Sequence, residues 1–361
     1  MAIGKVKQMG LQWQRAIRDW ARDTGDELES SNGLLKTALI VLVILGLLAT
    51  AVRIYWSSEP SPYSVRENAT EMVPVKNGQT ATAIVGVTTT ASLIRVAETL
   101  LDKSGGFISN DILPPGVWLD NLPNWEYGAL IQVRDLSKAM REAFSRSQSQ
   151  SREDTKLALA ESRFNFDHDS WAVPASEAEY REGATFLRDF LKRLADDDQH
   201  NAQFFARADN LRYWLTTVES RLGSLSQRLS ASVGQRRLNI DLAGEERASQ
   251  STAAPSEMLV KTPWLEVDDV FYEARGSAWA LIHFLKAVEV DFADVLAKKN
   301  ALVSLQQIIR ELEATQEVVY SPIILNGSGF GILANHSLVM ASYISRANAA
   351  IIDLRGLLAQ G

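Results

Sequence analysis

The chain contains no cysteine, which excludes disulfides, thiolate metal sites, cysteine nucleophiles and iron–sulfur clusters together. Histidine is scarce: His168, His200, His283 and His336 are the full set. No H-E-x-x-H or Glu-x-x-His spacing joins them into a zinc or di-iron pattern. A G-x-S-x-G nucleophile elbow is missing. The glycines of LNGSGFGIL, residues 325–333, are not followed by the Lys-Ser/Thr of a phosphate-binding loop. Basic excess is also absent, with 37 Lys and Arg against 44 Asp and Glu and a net charge of −7, so a nucleic-acid footprint is disfavoured. What remains is an ordinary folded composition over 361 residues, 46% apolar and 22% charged. It is neither a disordered acidic tail nor a polytopic transporter.

One long apolar run stands out. Sixteen residues from Thr37 to Val52 carry no charge, and sixteen helical residues span only about 24 Å of a roughly 30 Å hydrocarbon core. If Lys36 and Arg53 snorkel, the run extends over 34–56, about 34 Å, and Tyr55 and Trp56 fall at the interface favoured by amphipathic rings. Residues 1–36 hold six basic residues, whereas the twenty residues from Arg53 hold two. The positive-inside rule then places the N-terminus in the cytoplasm and the C-terminal bulk outside. Residues 1–56 sum to +2 and the remainder to −9. A cleaved signal peptide, with a small-residue site at Ala49-Thr50-Ala51, would need an n-region running to residue 36. A buried core helix is disfavoured, because most core helices keep one polar face and this run is apolar on every face. The expectation is an uncleaved signal anchor. Ahead of it, Met9, Trp13, Ile17 and Trp20 recur at helical spacing and fit an amphipathic segment on the inner leaflet or a loosely ordered tail.

The expected divisions are a cytoplasmic segment over 1–33, a transmembrane helix over 34–56, a stalk over 57–78 and a helical bundle over 79–361. The stalk reading rests on three prolines and no period. Residues 80–89 suit a short strand or a helix start, and 107–124, broken by Pro114, Pro115 and Pro123, an ordered packed loop. Beyond it, apolar residues step by four and three. The series are Ala129 to Ala143, Tyr180 to Leu194, Phe204 to Leu229, Val270 to Val288, Leu302 to Leu312 and Met340 to Leu358. Such a period keeps one narrow seam facing a neighbour. The fold class is therefore all-α: one transmembrane helix, then an elongated bundle of long heptad-patterned helices whose seams satisfy one another. The run from Phe204 predicts a helix of about 30 residues, about 45 Å long. Ser176 and Glu179 form a capping-box pattern. The short link over 196–201 predicts an antiparallel hairpin, and residues 233–262 read as a flexible crossover.

The runs LLDKSGGFISNDILPPGVWLDNLPNWEYG (100–128), SRSQSQS (145–151), ARADNLRYWL (206–215), RLGSLSQRLSASVGQ (221–235) and TPWLEVDDVFYEARGSAWALIHFLKAVEVDFADVLAKKN (262–300) resemble a bacterial family. It is a domain-of-unknown-function family of single-pass inner-membrane proteins from Gram-negative proteobacteria. The resemblance implies a bacterial origin and an envelope location, with no catalytic residues to carry over.

Candidate chemistry is thin. Asp167-His168-Asp169 pairs a base with carboxylates, but in a polar turn. Asp196, Asp197, Asp198 and His200 sit at the expected hairpin tip without the spacing of a calcium loop. His283 reads as a hydrogen-bonded core histidine, one turn from Trp279, and Asn335 as the N-cap before His336. No cofactor or metal is implied. The candidate contact residues are Trp118, Trp125 and Phe330, large aromatics on irregular backbone. The apolar stretch 323–333 is expected to fold over the bundle end, with lipid or partner contact as its alternative. The reading is a non-enzymatic envelope scaffold whose partners are the bilayer and an envelope protein or cell-wall component, self-association being compatible. Its alternative is a ligand-binding or hydrolytic protein with a cleft near Asp111 and Asp120 or around His168.

Overall fold

The computed structural model describes residues 33–74, 80–147, 153–196, 202–238, 257–321, 323–327 and 331–360. The amphipathic N-terminal segment, Asp197, Asp198 and His200 of the acidic tip, and Phe330 lie outside them. Two compact units, 1–56 and 57–361, divide the chain. In the first, helix α1 (Gly33–Trp56) includes a 22-residue stretch, Leu35–Trp56, long and apolar enough to cross a membrane. No described side chain on it is buried, so it is not a core helix. Lys36 and Arg53 lie near its two ends, and Tyr55 and Trp56 close its last turn.

The second unit is built around two parallel helices, α4 (Asn121–Ala139) and α8 (Val267–Asp291). Asn124 on α4 donates to Asp269 on α8 at 2.7 Å, and Phe144, in the wide turn Met140–Phe144 that ends α4, meets Phe292 at 5.3 Å between ring centroids. Glycine lets their backbones touch. A Cβ on Gly276 would lie 1.9 Å from the Trp125 carbonyl oxygen, and one on Gly128 would lie 2.0 Å from that of Glu273. Ser277 Oγ donates to the Gly128 carbonyl at 3.0 Å, and Trp125 packs on Trp279 with centroids 5.2 Å apart. A seam on α8 was legible in the sequence, yet this helix is buried on nearly every face from Ala274 to Leu285.

Ion pairs and hydrogen bonds between neighbours reveal the directions of the surrounding helices. Helix α3 (Val87–Asp102) runs antiparallel to α8: Thr89 N–H in its first turn donates to Asp291 at 2.6 Å, and Lys103 just past its end pairs with Glu126. Helix α6 (Ser176–Leu194) runs antiparallel to α3 through Arg181–Asp102 and Arg188–Glu98, with α5 (Thr155–Phe164) against it. On the other side α7 (Ala208–Ser230) pairs with α11 (His336–Ala359), Glu219 facing Arg355, while Arg228 near the end of α7 reaches Glu273 near the start of α8. Helix α10 (Leu302–Ala314) follows the short α9 (Ala293–Lys298) and lies antiparallel to α11, Glu311 meeting Arg346. The heptad seams are the core: Leu211, Leu215, Val218, Leu222, Leu225 and Leu229 are all buried, as are Met340, Ile344, Ala347, Ile351, Leu354 and Leu358.

Several expectations differ from the structure. Residues 57–74 are not a free stalk. Helix α2 (Val65–Met72) buries Val65, Asn68 and Ala69 against α3 and α8. Helix α7 begins at Ala208 and has 23 residues, because Phe204 leaves the helical path to stack between Phe144 and Phe292. Helices α6 and α7 do not form the expected hairpin; each finds its main partner elsewhere, α6 on α5 and α3, α7 on α11. Ser176 does not cap: its hydroxyl donates to the carbonyls of Asp167 and Ser170. Residues 80–89 hold a short turn of helix, Ala81–Ala83, and then the start of α3. At the edges of the expected crossover, β1 (Gln235–Leu238) and β2 (Glu257–Val260) pair antiparallel, a small addition to an otherwise helical unit.

Replacing Gly276 with Ala should lower the thermal midpoint sharply, since the new methyl meets backbone that cannot yield, a cost of about 3 kcal/mol. Gly223→Ala, whose Cβ would sit 3.5 Å from Asn348, should be neutral or stabilising by up to about 1 kcal/mol. Circular dichroism melts of both variants test the difference.

Candidate functional site

Residues 58–64 form no helix but are held along α8. Arg275, buried in the first half of α8, grips both carboxylate oxygens of Glu59 at 2.8–2.9 Å. Its Nη1 donates to the carbonyls of Thr315 at 2.9 Å and Glu317 at 2.8 Å, where α10 ends and carbonyls lack intrahelical donors. Four residues after Glu59, Tyr63 stacks on His283 with ring centroids 4.1 Å apart. The Tyr63 N–H donates to His283 Nε2 at 3.1 Å, and Nδ1 faces the Trp279 carbonyl at 2.7 Å. Nε2 accepts, so Nδ1 carries the proton and the ring is neutral. Burial, reinforced by Lys286 and opposed by the Trp279 carbonyl, holds its pKa down to about 4. This is the hydrogen-bonded core histidine the sequence suggested.

A second polar centre orders the proline-rich loop. Glu126 on α4 is fully buried and accepts from the N–H groups of Ile108 at 2.9 Å and Ser109 at 2.8 Å, and from Lys103. Burial pushes its carboxyl up while Lys103 pulls it down. Asn110 extends the network to Glu177 at 2.7 Å and to the Ser170 carbonyl at 2.8 Å. The loop is thus ordered and packed, as expected, but its tip is not covered: Leu113 is exposed and Trp118 is 52% exposed. Trp125, by contrast, is wholly buried against Trp279 and is withdrawn as a contact residue, because its ring fills the α4–α8 interface.

The polar candidates have different neighbours. Asp111 faces Gly116, where a Cβ would lie 1.9 Å from its Oδ2, and burial and Glu177 push its carboxyl up. Asp120 lies with Asp268 and Asp269 in a group whose oxygens fall within 4.8 Å of one another. Burial, then Asp120 and Asp268, push Asp269 up to about 6. His168 packs 4.9 Å from the Tyr127 ring, and burial lowers its pKa while Asp169 opposes the shift. These residues occupy three different settings. Asn335 makes no cap to α11; Asn326 Oδ1 does so by accepting from Ser337 N–H at 2.9 Å, and His336 Nδ1 accepts from Leu325 N–H at 2.9 Å. Of the described residues in 323–333, Ile323, Ile332 and Leu333 are exposed and Ile324 and Leu325 half-buried, so the stretch is tied at its base without the full fold-over that was expected.

Two cavities flank the Arg275 clamp. One of about 360 Å³ is lined by Phe271, Arg275, Tyr320, His336, Met340 and Tyr343. The other, about 230 Å³, lies between Pro62, Ile282, Lys286 and Val318. Neither includes Asp111, Asp120 or His168. Arg275, already holding Glu59 and two carbonyls, spends its donors on structure. Sequence reasoning missed Glu59, Arg275 and Glu126. A lone charge within the apolar run ARGSAWALIHFL is the signal that could have pointed to Arg275.

A family described as uncharacterized protein conserved in bacteria, DUF2333, matches residues 29–361. The chain belongs to DUF2333. Its membership covers the apolar helix and the whole bundle, in line with the bacterial family the sequence resembles. No curated protein and no solved structure matches the chain.

Two measurements test the clamp. Arg275→Met should lower the urea unfolding free energy by about 3 kcal/mol by leaving Glu59 and the carbonyls unpaired, and Glu59→Gln by about 1 kcal/mol. Equal, negligible losses would deny the clamp its structural role. For His283 the folded pKa is depressed from 6.5 to about 4. Its contribution to stability is therefore complete above the unfolded value and is lost as pH falls through the folded one. NMR titration should show His283 ionising near 4, with the Tyr63 amide losing exchange protection in the same range.

Proposed function

We propose that this DUF2333 member is an inner-membrane protein anchored once, N-terminus in the cytoplasm, whose periplasmic bundle works as a non-enzymatic scaffold for an envelope protein or cell-wall component. The observation that carries the reading is α1: apolar over Leu35–Trp56, uncovered along its length, and preceded by most of the nearby basic charge. An exposed helix of this kind has no stable home in water, and the lysine and arginine asymmetry sets its direction. The scaffold part draws on what the bundle spends its polar groups on. Glu126, Arg275 and His283 each order backbone, and neither cavity beside Arg275 is lined by Asp111, Asp120 or His168, which weighs against the ligand or hydrolase alternative.

A C-terminal alkaline phosphatase fusion should be active in an exporting host, and the protein should stay with membranes through an alkaline carbonate wash. An inactive fusion that remains in the membrane would reverse the orientation. Crosslinking in native membranes followed by mass spectrometry should recover an envelope partner; self-crosslinks alone would remove the scaffold reading.

A further inference from the structure

The helix directions gather the bundle's uncovered apolar side chains at one end. Because α4 and α8 are parallel and α3, α7 and α10 run against α8, five connections share that end. They are the loop after α3, the turn before α6, the β1–β2 pair, the short turn before α8 and the α10–α11 segment. Each presents apolar groups to solvent. Trp118 lies in the first, Trp171 before α6, and Leu259 on β2. Trp264, before α8, is 76% exposed, and Tyr320 and Ile332 project from the α10–α11 segment at 93% and 105%. The tryptophans sort cleanly: among described residues of 57–361, Trp125, Trp214 and Trp279 are buried in the core, while the exposed Trp118, Trp171 and Trp264 all sit at this end. At the opposite end the exposed apolar residues include Val85, Leu302 and Val303, with no exposed tryptophan among the described residues.

The chain enters the bundle from this same end. Glu59 is fixed at Arg275 and Tyr63 at His283, so residues 59–63 climb about 12 Å along α8 away from its N-terminus. Trp56 precedes Glu59 by three residues, at most about 11 Å of extended chain. The tryptophan- and leucine-bearing loops therefore share the end of the bundle from which residues 59–63 set out along α8. Amphipathic aromatics are favoured at the headgroup level of a bilayer, and scattered loop-tip apolar groups gain by partial insertion there.

From this geometry we propose that the loop-bearing end of the bundle is a membrane-docking surface, occupied by the lipid headgroup region next to the chain's own anchor. The proposal rests on the reading of α1 as a spanning helix. Its occupant is lipid because an end tethered so closely to the bilayer meets that surface before any diffusing partner.

The absence of native cysteine permits unambiguous labelling. Full-length protein carrying one of Trp118→Cys, Trp264→Cys, Ile332→Cys, Val303→Cys or Val43→Cys is labelled with an environment-sensitive fluorophore. Each is reconstituted in vesicles of phosphatidylethanolamine and phosphatidylglycerol containing nitroxide lipids. Labels at 118, 264 and 332 should be quenched several-fold more than the label at 303, and the label at 43 most of all. Strong quenching at 43 with equal, weak quenching at 118, 264, 332 and 303 would leave the anchor intact and overturn the docking. No quenching at 43 would overturn the anchor and the docking with it. Labels at 118, 264 and 332 shielded from iodide yet not quenched by nitroxide lipid would assign this end to a second protein chain and overturn the lipid occupant.

Discussion

The contact on which this fold depends is backbone against backbone. Gly128 and Gly276 let α4 and α8 approach until carbonyls occupy the space a methyl group would need. That closeness seats Trp125 against Trp279 and lets Ser277 reach a main-chain carbonyl. It also leaves α8 with neighbours on every side, so the other helices are arranged by which face of α8 or α4 they cover. Small residues at a helix crossing strengthen dispersion contacts that individually are slight. Here they define the axis from which the directions of α3, α7 and α10 follow.

Much of the architecture was visible in the sequence, for a physical reason. A helix with one buried face must repeat its apolar residues near 3.5, and the α11 seam is buried residue for residue as that spacing requires, the α7 seam from Leu211 to Leu229. Helix partners were less visible, because a seam specifies that a face is covered and not by what. The short link over 196–201 suggested an α6–α7 hairpin, yet α7 pairs with α11, more than a hundred residues later. The residues 57–74 looked like a stalk because proline and mixed polarity dominate locally. Their attachment comes from Arg275 and His283, over 200 residues away.

The polar sites were legible in a different proportion. His283 could be placed because its neighbours on one helical face are apolar. Glu126 and Arg275 could not, since each charge is stabilised by backbone groups that only the folded chain brings near: two amides for Glu126, carbonyls at the end of α10 for Arg275. The same blindness misjudged Trp118 and Trp125. Seven residues apart, they read alike in sequence, and one points to solvent while the other fills the core.

The attachment of Glu59 and Tyr63 has a mechanical side. Both lie before α2, so tension arriving through residues 57 and 58 meets the clamp at Arg275 and the stacked His283 first. It passes into the middle helix of the bundle, which is packed on all faces, and reaches α2 only after those two holds give way. A tether fastened to its outermost helix would peel that helix off under load; this one pulls on the keel.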